Sequence, residues 1–211
     1  MLLGSLVNAD SPSNILDVGT GCGVLSLMMA QRYPNAFVSA LEIDNGSCVD
    51  AQFNFTESNW SDRLVLINQD FFNFRTALKF DLIISNPPFH FEEVKSENER
   101  VNAAKRWTKI EFQQFYSSCA ELSHPQSDLY LIVPYLWHEK HLSIATLFGW
   151  QAHQKIIIHS KSDKQNSRVV INFKRQIVSD CMVSEITIRN IDGTYSEEYK
   201  SLTKNFHGVH I

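Results

Sequence analysis

The residues best suited to chemistry stand at the end of the run Asp81–Phe89, "DLIISNPPF". Leu82, Ile83 and Ile84 read as a buried parallel strand, apolar on both faces. Asn86, Pro87, Pro88 and Phe89 then end it abruptly. Proline fixes φ and has no N–H, and the residue before it is pushed towards extended geometry. The result is a stiff loop rich in carbonyl acceptors beside a planar ring. Such a loop suits a flat group bearing an NH2. The plain alternative is a tight turn that only stops the strand, so the rest of the chain must decide.

A second constellation lies upstream. "DVGTGCG" joins Asp17 to Gly19, Gly21 and Gly23. The glycines allow a sharp turn and close backbone approach to a ligand. Their spacing is not that of the dinucleotide fingerprint, and no phosphate loop of the GxxxxGK[ST] type is present. The Asp17 carboxylate would repel a pyrophosphate but can pair with a cationic group. Glu42 ends the next apolar run, where an acid can accept from both hydroxyls of a ribose. Asp70, in "NQDFF", can accept from an adenine amino group with Phe71 against the ring. A sugar-binding acid and a glycine turn without pyrophosphate chemistry suggest an adenosine ligand lacking phosphates, and S-adenosyl-L-methionine fits.

Positioning these residues requires an alternation of elements. Asn14–Val18, Phe37–Ile43, Leu64–Asn68, Asp81–Ser85, Asp128–Val133, Gln154–His159 and Arg168–Phe173 read as strands. Val24–Arg32, Asp44–Ser58 with Asp44 as N-cap, Glu111–Leu122 and a segment from Pro134 to about Leu147 read as helices. Such alternation predicts an α/β fold with a seven-stranded, mostly parallel, Rossmann-like sheet and helices on both faces. The last two strands are joined too briefly for a crossover and are expected to form an antiparallel hairpin. The glycine turn, Glu42 and Asp70 then fall on one edge, beyond the carboxyl ends of the strands.

The 211 residues are expected to form one domain, and 44% hydrophobic with 20% charged residues is ordinary for a globular chain. No apolar run reaches the length of a membrane span, and no signal peptide is visible. Cys22, Cys48, Cys119 and Cys181 are scattered, which indicates neither zinc nor disulfides and fits a cytoplasmic chain. A net charge of −4 argues mildly against nonspecific nucleic-acid binding, although a local basic face is compatible with it. His138 and His141 lack metalloprotease spacing and are expected on a helix surface. Phe53, Phe55, Phe71, Phe72 and Phe74 are expected in the core.

Taken together, "LDVGTGCG", "ALEID", "NQD" and "DLIISNPPF" resemble the S-adenosylmethionine-dependent Rossmann-like methyltransferases, and the Asn-Pro-Pro-aromatic element resembles that of the enzymes acting on exocyclic NH2 groups. With "MLLGSLV" and "YSEEYKSLTKNF", the chain resembles the bacterial tRNA(Val) adenine-N6 methyltransferases over nearly its whole length. That resemblance implies methylation of the adenine 3′ of the anticodon, with no metal. It implies catalytic roles for Asn86, Pro87, Pro88 and Phe89, and cofactor roles for Asp17, Gly19, Gly21, Gly23, Glu42, Asp70, Phe71 and Asn86. Phe89 replaces the group's usual tyrosine. The family's leading segment, ending in Thr-Asp-Gly, does not precede "MLLG", and its loss is expected to weaken cofactor enclosure or RNA contact. "NPPFH" also resembles the ribosomal RNA guanine-N2 methyltransferases. A protein glutamine methyltransferase and an inactive cofactor-binding scaffold stay open as well. Arg100, Lys105, Arg106, Lys161, Lys164 and Arg168 are the candidate phosphate contacts, and a monomer is expected.

Overall fold

The structure is a computed structural model that describes residues 1–87, 90–91, 106–161, 166–176 and 180–206. Pro88, Phe89, Arg100, Lys105 and Lys164 lie outside the described residues.

Among the described residues, eight strands form one sheet. They are β1 (Asn14–Val18), β2 (Phe37–Glu42), β3 (Leu64–Asn68), β4 (Phe80–Ser85), β7 (Ser123–Pro134), β8 (Gln151–His159), β9 (Asn166–Lys174) and β10 (Met182–Thr187). Two-residue strands β5 (His90–Phe91) and β6 (Arg106–Trp107) pair outside it. The order is β10-β8-β9-β7-β4-β1-β2-β3. Only β9 runs antiparallel, against β7 on one side and β8 on the other, as the short β8–β9 connection requires. The expected seven strands are joined by β10, an eighth at the edge, parallel to β8.

Alternation along the strands divides the core into two layers. In β4, Ile83 faces one layer while Leu82 and Ile84 face the other. On the Ile83 side lie α4 (Lys109–Leu122) and α5 (His138–Thr146), through Phe112, Phe115, Cys119 and Ile144. Helix α4 starts with a capping box, in which the Thr108 hydroxyl accepts from the Glu111 amide and the Glu111 carboxylate accepts from the Thr108 amide. On the opposite side lie α1 (Leu2–Leu6), α2 (Val24–Arg32), α3 (Asn45–Thr56) and α6 (Glu197–Thr203). Leu3 and Val7 share that layer with Leu202 and Phe206. The Arg32 guanidinium donates to the Val7 and Ser5 carbonyls and lies 5.3 Å from the centre of the Phe206 ring. The tail segment that resembles the tRNA(Val) enzymes is therefore a packing element here.

Two expectations from the sequence are corrected. His141 is not on a helix surface: it is 3% exposed, because α5 turns His141, Ile144 and Ala145 inwards together. Its Nδ1 lies 2.8 Å from the Tyr116 hydroxyl and its ring meets Phe112 edge-on. Burial pushes its pKa down to about 3, so the ring is neutral at physiological pH. Phe53 is not in the core but 65% exposed. Helix α3 buries the stripe Cys48, Ala51 and Phe55, and Phe53 falls off it. No helix among the described residues is long and apolar enough to cross a membrane.

Candidate active site

The chain order reverses at β1. The run β1-β2-β3 builds outwards one way, and β4 then returns to the far side of β1. In an open α/β sheet this switch opens the crevice where ligands bind. The register levels its rim. Val18 pairs with Leu41 on one side and Ser85 on the other. Gly19, Glu42 and Asn86 each follow by one residue, so they stand side by side. With strands about 4.8 Å apart, Glu42 and Asn86 flank the glycine turn across about 10 Å.

The turn itself is held from below. Gly19 and Thr20 both donate their amides to the Leu41 carbonyl at 2.9 Å. Gly19, Gly21 and Gly23 have φ of 72°, 58° and 86°, a left-handed region that side chains resist. The three differ in surroundings. A Cβ at Gly23 would lie 2.4 Å from the Phe55 ring, whereas at Gly19 or Gly21 it would meet nothing within 4 Å. Gly23 therefore serves helix packing, while Gly19 and Gly21 present bare backbone to an open hollow.

Asp17 lies beneath this hollow and is fully buried. Its Oδ2 accepts from the Thr20 hydroxyl at 2.6 Å and the Ser26 hydroxyl at 2.7 Å. Its Oδ1 is buried with no hydrogen-bond partner. Burial raises the pKa from 3.8 to about 6, against the lowering effect of the two hydroxyls. An orphaned carboxylate oxygen under an open backbone cradle fits a ligand with positive charge. Sequence reasoning does not single out Thr20 and Ser26, although a signal for them exists. A buried acid needs donors, and both hydroxyls stand within the glycine turn or the first turn of α2.

Glu42 is half-buried and already engaged. Its Oε2 accepts from the Gly21 amide at 2.8 Å, and Oε1 from the Ile43 and Asp44 amides at 2.9 Å. A carboxylate offers about four lone-pair sites, so one remains for a ribose hydroxyl. Taking a second hydroxyl would release one amide. Asn68 braces the same corner by donating to the Glu42 carbonyl at 3.1 Å. Asp44 does cap α3, accepting from the Ser47 amide.

Asp70 accepts from the Phe72 amide at 3.0 Å and from the Asn73 side chain at 3.1 Å, which caps a short turn and leaves lone pairs over. Phe71 is 6% exposed and packs on Phe115, ring centres 5.5 Å apart. A ring buried to that degree offers a ligand its edge at most. Asn86 is exposed and Pro87 buried. Of the candidate phosphate contacts, Arg106 opens β6, Lys161 follows β8, and Arg168, exposed, pairs in register with Pro134 at the end of β7. Strands β7 and β8 run parallel to β4, and β9 is antiparallel. The end of β8 and the start of β9 therefore fall on the same sheet edge as Asn86. Among the described residues, no group of three or more His, Cys, Asp or Glu side chains is placed to hold a metal ion.

Residues 1–107 match the family described as the methyltransferase small domain. The chain is 37% identical to the tRNA1(Val) (adenine(37)-N6)-methyltransferase of Phocaeicola vulgatus, over 98% of this chain and 88% of that protein. It is 30% identical to the protein of the same name in Vibrio campbellii, over 98% and 86%. Among solved structures, a protein of Agrobacterium tumefaciens described as a predicted O-methyltransferase superposes with TM-score 0.73 at 15% identity, over 99% of this chain and 96% of that one. The N-methyltransferase NodS of Bradyrhizobium japonicum, in complex with S-adenosyl-L-homocysteine, gives 0.59 at 14%, over 82% and 81%.

Proposed function

The chain belongs to the tRNA1(Val) (adenine(37)-N6)-methyltransferases, and from that membership we propose that Asn86 and Pro87 present the exocyclic N6 of that adenine to S-adenosyl-L-methionine. The reading rests above all on one observation: Gly19, Glu42 and Asn86 stand level across the switch crevice.

The cradle at Gly19 and Gly21, with Asp17 beneath it and Glu42 beside it, would hold the cofactor, and Asp70 would receive its adenine amino group. When bound, S-adenosyl-L-methionine supplies a methyl group on a sulfonium, a leaving group that is already activated. The remaining task falls to the protein. The exocyclic nitrogen of adenine is a poor nucleophile, because its lone pair is delocalised into the ring. The Asn86 side-chain oxygen and the Pro87 carbonyl accept its two N–H bonds, which fixes the nitrogen and turns the lone pair towards the crevice. The roles proposed for Phe89, stacking on the base, and for Pro88, restricting the backbone before it, rest on residue type. Positioning of this kind supplies much of the acceleration, so no general base is required before transfer. The surplus proton then leaves to water. The partner is tRNA, bound through Lys161, Arg168 and the basic segment before α4. The working unit is a monomer of one domain in the cytoplasm.

Incubation with isotopically labelled cofactor and total tRNA, followed by nucleoside analysis, tests the reading: N6-methyladenosine is expected. N2-methylguanosine, or label found only on protein glutamine, overturns the acceptor assignment. Asn86→Ala is expected to lower kcat at least about a thousandfold while cofactor affinity stays within about threefold, since only positioning is lost. Full activity in that variant ends the proposed role.

A further inference from the structure

Strand β7 ends beside the candidate catalytic elbow in a feature that the proposed reaction has not used. Ser85 pairs with Leu131, and the ladder continued sets Asn86 and Pro87 against Ile132 and Val133. The 3-10 turn Tyr135–Trp137 follows at once. Tyr135 and Trp137 are both rooted against the core below. The Tyr135 carbonyl lies 2.6 Å from His138 Nδ1 and the two rings are 4.7 Å apart. The Lys140 ammonium sits 4.5 Å over the Trp137 ring. Between the two anchored aromatics, Leu136 is 78% exposed, the largest value for any exposed large hydrophobic side chain among the described residues. A lone exposed leucine is commonplace. This one is fixed at the tip of a braced turn on the rim of the site. Arg168, level with Pro134 across the β7–β9 ladder, puts a cation on the same rim.

An adenine buried in a stacked RNA loop must leave its stack to reach Asn86, and the gap it leaves is unfavourable. Apolar side chains that enter between bases offset that loss. We propose that Leu136 is the wedge that fills the stack when the target base is extruded, with Lys140 and Arg168 holding the flanking phosphates. The proposal rests on the adenine reading above. It adds a residue that acts on the RNA rather than on the transferred methyl.

The test compares Leu136→Ala, Leu136→Met and the unsubstituted chain on two RNAs. One is a hairpin with the adenine in its structured loop, and the other an unstructured strand in which the base needs no extrusion. The unsubstituted chain is expected to methylate both. Leu136→Ala is expected to lose about tenfold in kcat/KM on the hairpin and to stay within about twofold on the unstructured strand, the order of a single base stacking on a side chain. Leu136→Met, which keeps an apolar chain of similar reach, is expected to restore the hairpin rate, and the thermal midpoint should not move. Equal rates for Leu136→Ala and the unsubstituted chain on the hairpin overturn the wedge. Equal losses on both RNAs overturn it too. An unsubstituted chain that methylates neither RNA overturns the adenine reading and the wedge with it.

Discussion

Replacing Asp17 with asparagine separates the cost of a buried charge from its use. In the folded chain burial raises this carboxyl from 3.8 to about 6. At about 1.4 kcal/mol for each pH unit, that amounts to about 3 kcal/mol between the two protonation states. The sign follows from proton linkage. Between pH 4 and 6 the folded state binds more protons at Asp17 than the unfolded state does. Its contribution is therefore most favourable below pH 4, where both states are protonated. Stability is lost as pH rises through 6 and the buried group must ionise. Asparagine does not titrate, and the other groups are common to both proteins. The difference in unfolding free energy between Asp17→Asn and the natural chain should thus grow by about 2.5 kcal/mol in favour of the variant from pH 4 to pH 7, the remainder falling below pH 4. Any fixed penalty for the buried amide cancels from that slope. Urea unfolding followed by circular dichroism across this range measures it. A difference flat to within about 0.5 kcal/mol, or one with the opposite slope, would refute the account of Asp17 as an ionisable group strained by burial. The same carboxylate should favour a cationic ligand only when charged, so cofactor affinity in the natural chain should weaken as pH falls below 6.

Gly21→Ala and Gly23→Ala should fail in different ways. The first adds a methyl to the open cradle and forces a left-handed alanine, costing about 1–2 kcal/mol in stability; calorimetric titration should show a larger fractional loss of cofactor affinity than the unfolding data would suggest. The second drives a methyl into the Phe55 ring, and overpacking adds about 1–3 kcal/mol, so its defect should appear first in thermal unfolding. Reversing Lys161 and Arg168 to glutamate should weaken tRNA binding and lower the slope of log affinity against log salt by about one for each phosphate no longer neutralised. An unchanged slope in filter binding would remove both from the RNA surface.

Where local pattern governs, the chain was readable. Helix α2 and strand β3 take the bounds that periodicity predicts, and Asp44 caps α3 as its position suggested. Helices α1 and α6 were missed because five and seven residues are too few for a helical period to show. Strand β10 was missed because its first four residues are exposed and no apolar run marks it. Strand β7 begins earlier than its apolar run, since the Ser127 hydroxyl ties the polar lead-in to the Phe80 carbonyl at 2.7 Å. In the candidate site, spacing marked the acids and glycines. It could not show that Glu42 already holds three backbone amides or that Asp17 keeps one orphan oxygen. Those are facts of tertiary approach, made by Thr20, Ser26 and Gly21.

The meeting of α1 with α6 bears on how this chain is made. Synthesis delivers Leu3 and Val7 long before Phe206, yet all three close the same layer. Until α6 clears the ribosome, α1 packs on α2 and β7 alone and Arg32 has no aromatic roof. A nascent chain stalled before Ser196 should therefore be a client for chaperones, and the emergence of α6 should be the event that completes this layer.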